Sequence, residues 1–308
     1  MHRASVVCLG HGALDHVFAV DTLPRGSAKV RASAYAITGG GMAANAAVAI
    51  ARLGGSAHWW GRVGDDDTGR AIRAGLAAEG VDCAGSVTVD GARSSASAVI
   101  VDREGERMLA NFRGEGLESA SAATLPLADI PRFATVLADI RWPDGAHALF
   151  TAARAAGVPS VLDADVGDSQ AIARLLPLAD HALFSEQGLR EWTGDADIAP
   201  VLERAAARGC VVAAVTLGER GVVWRHAHRT FTLPACAVRA VETLGAGDVF
   251  HGAYALAVAE GTPIVDAMRF ASAAAALKCA AAGGRATFPR RADVDRVVAS
   301  APRAAAYA

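Results

Sequence analysis

The stretch VETLGAGDVFHGAYALAVAEG, residues 241–261, turns through Gly245, Ala246 and Gly247 and then sets an acid, Asp248, at the mouth of an alanine-rich helix. A helix start presents unpaired N–H groups and a partial positive charge, so a phosphate can rest there. Asp248 as a simple helix cap is one reading. A cap, however, does not call for a glycine on either side of Ala246. Glycines there strip away side chains where something must approach the backbone closely.

Outward from this stretch, short β-branched runs alternate with alanine-rich amphipathic ones: SVVCLG, MAANAAVAIARLG, AHWWGRVG, DTGRAIRAGLAAEG, and later GVPSVLDAD, ADHALFS and CVVAAVTLG. That rhythm predicts an α/β fold, a mostly parallel sheet with helices on both faces. Residues 16–38 and 94–112 break it. They alternate apolar and polar residues around Pro24-Arg25-Gly26 and Arg103-Glu104-Gly105-Glu106, and read as antiparallel hairpins. Strands inserted there form either a small second layer at the strand ends, where open sheets bind ligands, or an ordinary meander at the sheet edge. No Pro/Ser-rich linker divides the chain, so one domain over 1–308 is expected, with segments 14–38 and 94–113 inserted in it.

The 308 residues are 52% hydrophobic and 20% charged, which describes a globular chain and excludes disorder. A net charge of -2 with no basic run argues against nucleic acid and membrane as partners. The five cysteines (Cys8, Cys83, Cys210, Cys236, Cys279) contain no C-x-x-C pair and are odd in number, so they read as core residues of a protein in a reducing cytoplasm. The N-terminal apolar run is interrupted too early for a signal peptide or membrane span. Lysine occurs only at Lys29 and Lys278, against 28 arginines.

Three groups of residues carry chemistry. In TGGGMAANAAVAIARLGG, residues 38–55, a triple glycine enters a helix and Asn45 sits one turn inside, where its amide can face a ligand over Gly40 and Gly41. Neither G-x-G-x-x-G nor G-x-x-x-x-G-K-[ST] occurs. Asp15, after the first strand, is a turn residue or a carboxylate that accepts from two neighbouring hydroxyls of a polyol. Phosphoryl transfer needs fixed donors around the developing charge and a group that takes the proton from the attacking hydroxyl. Gly245-Ala246-Gly247-Asp248 supplies both within four residues.

Together, GGGMAANAAVAIARLGG and ETLGAGDVFHGAYA resemble the two signature motifs of the ribokinase-like PfkB family of carbohydrate kinases, and the resemblance spans essentially the whole chain. It implies a three-layer α/β/α fold with a small β-sheet lid, and phosphorylation of a sugar-like alcohol with ATP and Mg²⁺. It also implies an anion hole at Gly245, Ala246 and Gly247, Asp248 as base, and Asp15, Gly40, Gly41 and Asn45 around the sugar. Candidates for the nucleotide are Thr216, Gly218 and Gly221 of VTLGERG, together with Ser185, which stands where the family's N-x-x-E has Asn. Gly188 stands where that motif has Glu. Glu242 stands where the second signature opens with Asp, which argues against the potassium ion bound by some members. Many relatives pair through their lids, and SAYAI and SASAVI either supply such a face, giving a homodimer, or simply cover a pocket, which leaves the oligomeric state open.

Further stretches (VGDDDTGRAI, GERMLANF, VLADIRWPDGA, HALFSEQGL, ALKC, GGRA) make the chain most similar to the sulfosugar branch, which phosphorylates the 1-hydroxyl of 6-deoxy-6-sulfofructose. Lys29, Asn111 and Arg141 match that branch's sulfonate contacts, with Arg107 and Arg113 as alternative cations. Asn45 is common to general sugar kinases, so fructose, ribose, a nucleoside or a sugar phosphate are the other substrates to weigh. A sugar-binding protein without turnover is the non-enzymatic alternative, against which the intact Gly-Ala-Gly-Asp argues.

Overall fold

The computed structural model describes residues 3–194, 197–300 and 303–307. Its main sheet has nine strands, from Ser56–Trp60 at one edge through Ser5–Leu9, Thr135–Asp139, Ser160–Ala164, His181–Ser185 and Val212–Thr216, all parallel. Val222–His226, Arg229–Leu233 and Ala305–Ala306 extend it antiparallel at the other edge. The turn between Val222–His226 and Arg229–Leu233 has two residues, Ala227 and His228, both at positive φ (48° and 62°). This twist matches that of the flanking strands.

Alternation along each strand divides the core in two. Val6, Cys8, Leu137, Val161 and Leu183 pack on one face, against helices Met42–Arg52, Ala246–Ala259 and Ile264–Cys279. Val7, Leu9, Val136, Ala138, Leu162 and Phe184 pack on the other, against Pro143–Ala156, Ser169–Leu175 and Ile198–Ala206. A side-chain period of two feeds both layers, which is why these strands read as continuous apolar runs. The α/β fold expected from the sequence is what forms.

The two inserted segments join in one four-stranded sheet, ordered Ala34–Gly40, Ala13–Ala19, Ala96–Val101 and Arg107–Phe112. Each hairpin is antiparallel within itself, but Ala13–Ala19 and Ala96–Val101 pair in parallel, a pairing no local pattern announces. Asp15 therefore lies inside a strand of this small sheet rather than in the loop that follows the first strand. The tight turn expected at Pro24–Gly26 is instead part of a longer connection, residues 20–33, with no strand of its own. A short parallel pair, Arg62–Gly64 with Val87–Val89, completes the sheets of the described residues.

In the main sheet the chain leaves Ser5–Leu9 for Ser56–Trp60 on one side, and later returns to Thr135–Asp139 on the other. The strand order reverses between Ser5–Leu9 and Thr135–Asp139, and a crevice at such a point is where open α/β sheets bind ligands.

Candidate active site

Two helices bring the glycine-rich motifs together. Gly252, one turn past Asp248, packs on helix Met42–Arg52 so closely that a Cβ there would lie 2.5 Å from the Ala46 carbonyl oxygen. At that separation the Asn45 Nδ2 donates to Asp248 Oδ2 at 2.7 Å. Asp248 is the third residue of its helix, whose N-cap is Gly245 in the left-handed region (φ 78°), with no side-chain cap. The carboxylate thus reaches across to Asn45. Gly247 opens onto free space, with nothing within 4 Å of an added Cβ.

Asn45 is held from its other end by a residue to which the sequence reading gave no role. Arg285 donates from Nε to Asn45 Oδ1 at 2.7 Å and from Nη2 to the Gly40 carbonyl at 2.9 Å. The triple glycine makes room for this arrangement. A Cβ on Gly39 would overlap the Arg285 guanidinium, one on Gly40 would overlap the Asp15 carboxylate, and Gly41, at φ 94°, lies against the His11 carbonyl. Arg285 is buried, and burial lowers its pKa to about 10 even against the nearby charges of Asp15 and Asp248, so it stays a cation at neutral pH. The stretch GGRA carried the only signal of this residue: an arginine between glycines after a long alanine-rich helix.

Burial, followed by the negative charge of Asp163, pushes Asp248 up to about 7, opposed by the hydrogen bond from Asn45. Asp163 is fully buried at the end of Ser160–Ala164, and its Oδ2 lies 3.0 Å from Nδ1 of buried His251. A carboxylate poised near neutrality suits a general base. Asp15 is likewise raised by burial, against the Ser97 hydrogen bond and the Arg285 charge. Thr38, Asp15, Ser97 and Asn111 are register partners across the small sheet, so they form a polar row on one face of it. The opposite face carries the exposed Tyr35, Ile37, Met108 and Phe112.

At the strand-order reversal lies a cavity of about 230 Å³ whose lining includes His11, Arg62, Arg113, Arg141 and Asp168. Three arginines thus share this lining with one acid. Arg141 donates to the Val166 carbonyl at 2.7 Å, and Arg62 donates to the carbonyls of Leu117 and Arg141 while lying over the Trp142 ring. His11 Nε2 is buried with no partner. Asp139, also unforeseen, ties the cavity floor: it accepts from the backbone N–H groups of His11 (2.7 Å), Ala43 (3.1 Å) and Arg141 (2.8 Å). One buried carboxylate so joins two strand ends to the start of helix Met42–Arg52. Lys29 is exposed in the 20–33 connection and does not line the cavity.

Ser185 and Thr216 are register partners at the ends of adjacent parallel strands. Ser185 caps the next helix by accepting from the Gly188 N–H at 3.0 Å, and Thr216 Oγ1 donates to the Phe184 carbonyl at 3.3 Å. Gly221 has a structural reason for being glycine, since at φ 92° a Cβ there would overlap the Leu233 carbonyl. Gly218, at φ 59°, has open space around it. Glu186, beside Ser185, is engaged by Arg190 and Arg220. No group of three or more His, Cys, Asp or Glu side chains that could hold a metal occurs among the described residues. Among the described residues, no helix is long and apolar enough to cross a membrane.

A mostly parallel sheet with a four-stranded side sheet, and a carboxylate beside a glycine-lined helix N-terminus, define a phosphotransferase that acts on an alcohol group. The chain belongs to the pfkB family of carbohydrate kinases, whose family model matches residues 3–291. It is 30% identical over 302 residues to the ribokinase of Bacillus subtilis, covering 96% of this chain and 99% of that one. It is 32% identical over 303 residues to the fructokinase of Klebsiella pneumoniae, covering 90% and 95%. Among solved structures, a protein of Agrobacterium tumefaciens provisionally called a ribokinase superposes with a TM-score of 0.92 at 39% identity, covering 97% and 98% of the two chains.

Proposed function

We propose that the protein transfers the γ-phosphoryl group of ATP to a hydroxyl of a ketose with an anionic far end, namely the 1-hydroxyl of 6-deoxy-6-sulfofructose. The observation that carries this reading is the arginine-lined cavity at the strand-order reversal, where Arg62, Arg113 and Arg141 outnumber the single acid Asp168. A sulfonate is a fixed monoanion, and guanidinium groups recognise such groups through charge-assisted hydrogen bonds. Asn111, in the same row as Asp15, is a further donor on the lid side; Lys29 enters through its resemblance to the sulfosugar branch.

In this reading the small sheet is a lid, with Asp15 and Asn45 holding hydroxyls over Gly40 and Gly41. Asp248 accepts the proton of the attacking hydroxyl, and Asn45, itself fixed by Arg285, sets the direction of that carboxylate. The charge gathering on the transferred group meets the N–H groups of Gly245, Ala246 and Gly247 at the positive end of a helix. Thr216, Gly218, Gly221 and Ser185 border the nucleotide, whose phosphates would hold the Mg²⁺ that offsets their charge. The apolar outer face of the lid is where a second copy pairs.

A second reading, a neutral-sugar kinase, is favoured by the names of the relatives, ribokinase and fructokinase. An ADP-coupled assay of the purified protein with sulfofructose, fructose, fructose 6-phosphate and ribose separates the two. The highest kcat/KM is expected for sulfofructose. A preference for fructose or ribose leaves the neutral-sugar kinase, and no ADP with any sugar leaves a sugar-binding protein.

A further inference from the structure

Lys278, one of only two lysines in the chain, lies near the end of helix Ile264–Cys279 and is fully buried. Its Nζ donates to Glu242 Oε2 at 3.0 Å, and the Glu242 carbonyl lies 3.5 Å away. The same carboxylate oxygen accepts from the backbone N–H groups of Gly283 (2.9 Å) and Gly284 (3.2 Å). The N–H groups of Val241 and Glu242 in turn donate to the Cys279 carbonyl, at 2.7 and 3.1 Å. An ammonium is costly to bury unless it is paired, and an apolar side chain fills the same volume at less cost. The charge therefore calls for a use.

Its connections supply one. Glu242 begins the loop that ends at Gly245, Ala246 and Gly247, while Gly283 and Gly284 lead directly into Arg285. Arg285 holds Asn45, and Asn45 holds Asp248. One ammonium–carboxylate contact thus ties the glycine-lined helix start to the segment that orients the base. Burial favours the neutral form of Glu242, but the N–H of Gly283, the Lys278 side chain and the N–H of Gly284 outweigh it and hold the carboxyl below its ordinary value, so Glu242 is a carboxylate at neutral pH.

We propose that Lys278 is a positioning residue for phosphoryl transfer, an internal cation that holds the loop before the anion hole and the Arg285 segment in register through Glu242. The inference rests on the sugar-kinase reading. Its test uses the full chain, the best sugar of the wild type, and the variants Lys278→Ala and Lys278→Met. Both should lose roughly ten- to a hundredfold in kcat, while KM for ATP changes by less than about threefold, because the loss falls on the transition state. Added ammonium or methylammonium should restore much of the Lys278→Ala loss by entering the space left behind. It should leave Lys278→Met, which fills that space, and the wild type unchanged.

Wild-type kcat in a folded Lys278→Met overturns the proposal. So does a loss in Lys278→Ala that follows its melting temperature and that no amine restores. Should neither variant fold, Glu242→Gln keeps the shape and weakens the contact, and wild-type kcat in that variant counts equally against it. Absence of ADP from the wild type with every sugar removes the sugar-kinase reading and this role together, and is seen before any variant is made.

Discussion

Asn45 and Asp248, separated by 203 positions in the chain, meet through a 2.7 Å hydrogen bond from the amide Nδ2 to the carboxylate Oδ2. Because Asn45 Oδ1 is taken by Arg285, the amide cannot flip, and the Asp248 carboxylate is presented in one orientation. The partners of these three side chains lie on three separate elements, so the site is rigid only when the helices are docked.

Replacing the carboxylate tests its role as base. Asp248→Asn retains an oxygen to accept from Asn45, so the fold should persist while kcat falls roughly a hundredfold or more. In the wild type, a base raised to about 7 must lose its proton to act, so kcat/KM should climb as pH rises through that value. At pH 6 it should stand at about a tenth of its plateau.

The same shift predicts a stability effect. Between the unfolded carboxylate value and about 7, the folded state holds a proton that the unfolded chain has lost, so the wild type loses stability as pH rises across that window. Asp248→Asn cannot ionise. Its melting temperature should therefore gain on the wild type from pH 4 to pH 8, and a constant difference across that range contradicts the raised pKa.

Gly252→Ala tests the helix contact. The added Cβ would lie 2.5 Å from the Ala46 carbonyl oxygen, backbone that cannot swing aside, so the helices must separate. A loss of about 1–3 kcal/mol in unfolding free energy is expected. A drop in kcat should accompany it, because the Asn45–Asp248 hydrogen bond is stretched. Denaturant unfolding and turnover measure the two, and unchanged turnover would show that the bond is not needed.

Gly247→Val separates binding from folding. The space beside Gly247 is open, so the melting temperature should hold to within a few degrees, on the scale of an ordinary surface substitution. A phosphate there would meet the branched side chain, and turnover should collapse. Survival of turnover would put the phosphate elsewhere.

Arg141→Ala bears on the substrate. Leaving a sulfonate without this partner should cost on the order of 2–4 kcal/mol, a roughly thirty- to thousandfold loss in kcat/KM for sulfofructose. Activity on fructose, which lacks the anion, should hardly change. Equal losses on both sugars would mean that Arg141 supports the cavity through the Val166 carbonyl instead of reading the substrate.

The sequence by itself determined the α/β architecture, because strands buried on both faces must be continuously apolar and the helices between them amphipathic, both local periodicities. The glycine clusters were equally legible: a backbone that must be approached closely excludes side chains, whatever approaches it. Tertiary structure alone decided what each of these residues meets. Arg285, Asp139 and Lys278 are single charged residues in apolar or glycine-rich surroundings, and nothing within a few positions tells a buried, fully bonded charge from a solvated one. Each has a partner far along the chain, 245, 96 and 36 positions away, so only the docking of helices on the sheet could set the desolvation and pairing that give them their roles. The parallel pairing of the two inserted hairpins is of the same kind. Each hairpin follows from its own alternation, but the edge at which two hairpins join depends on where the main sheet holds their ends.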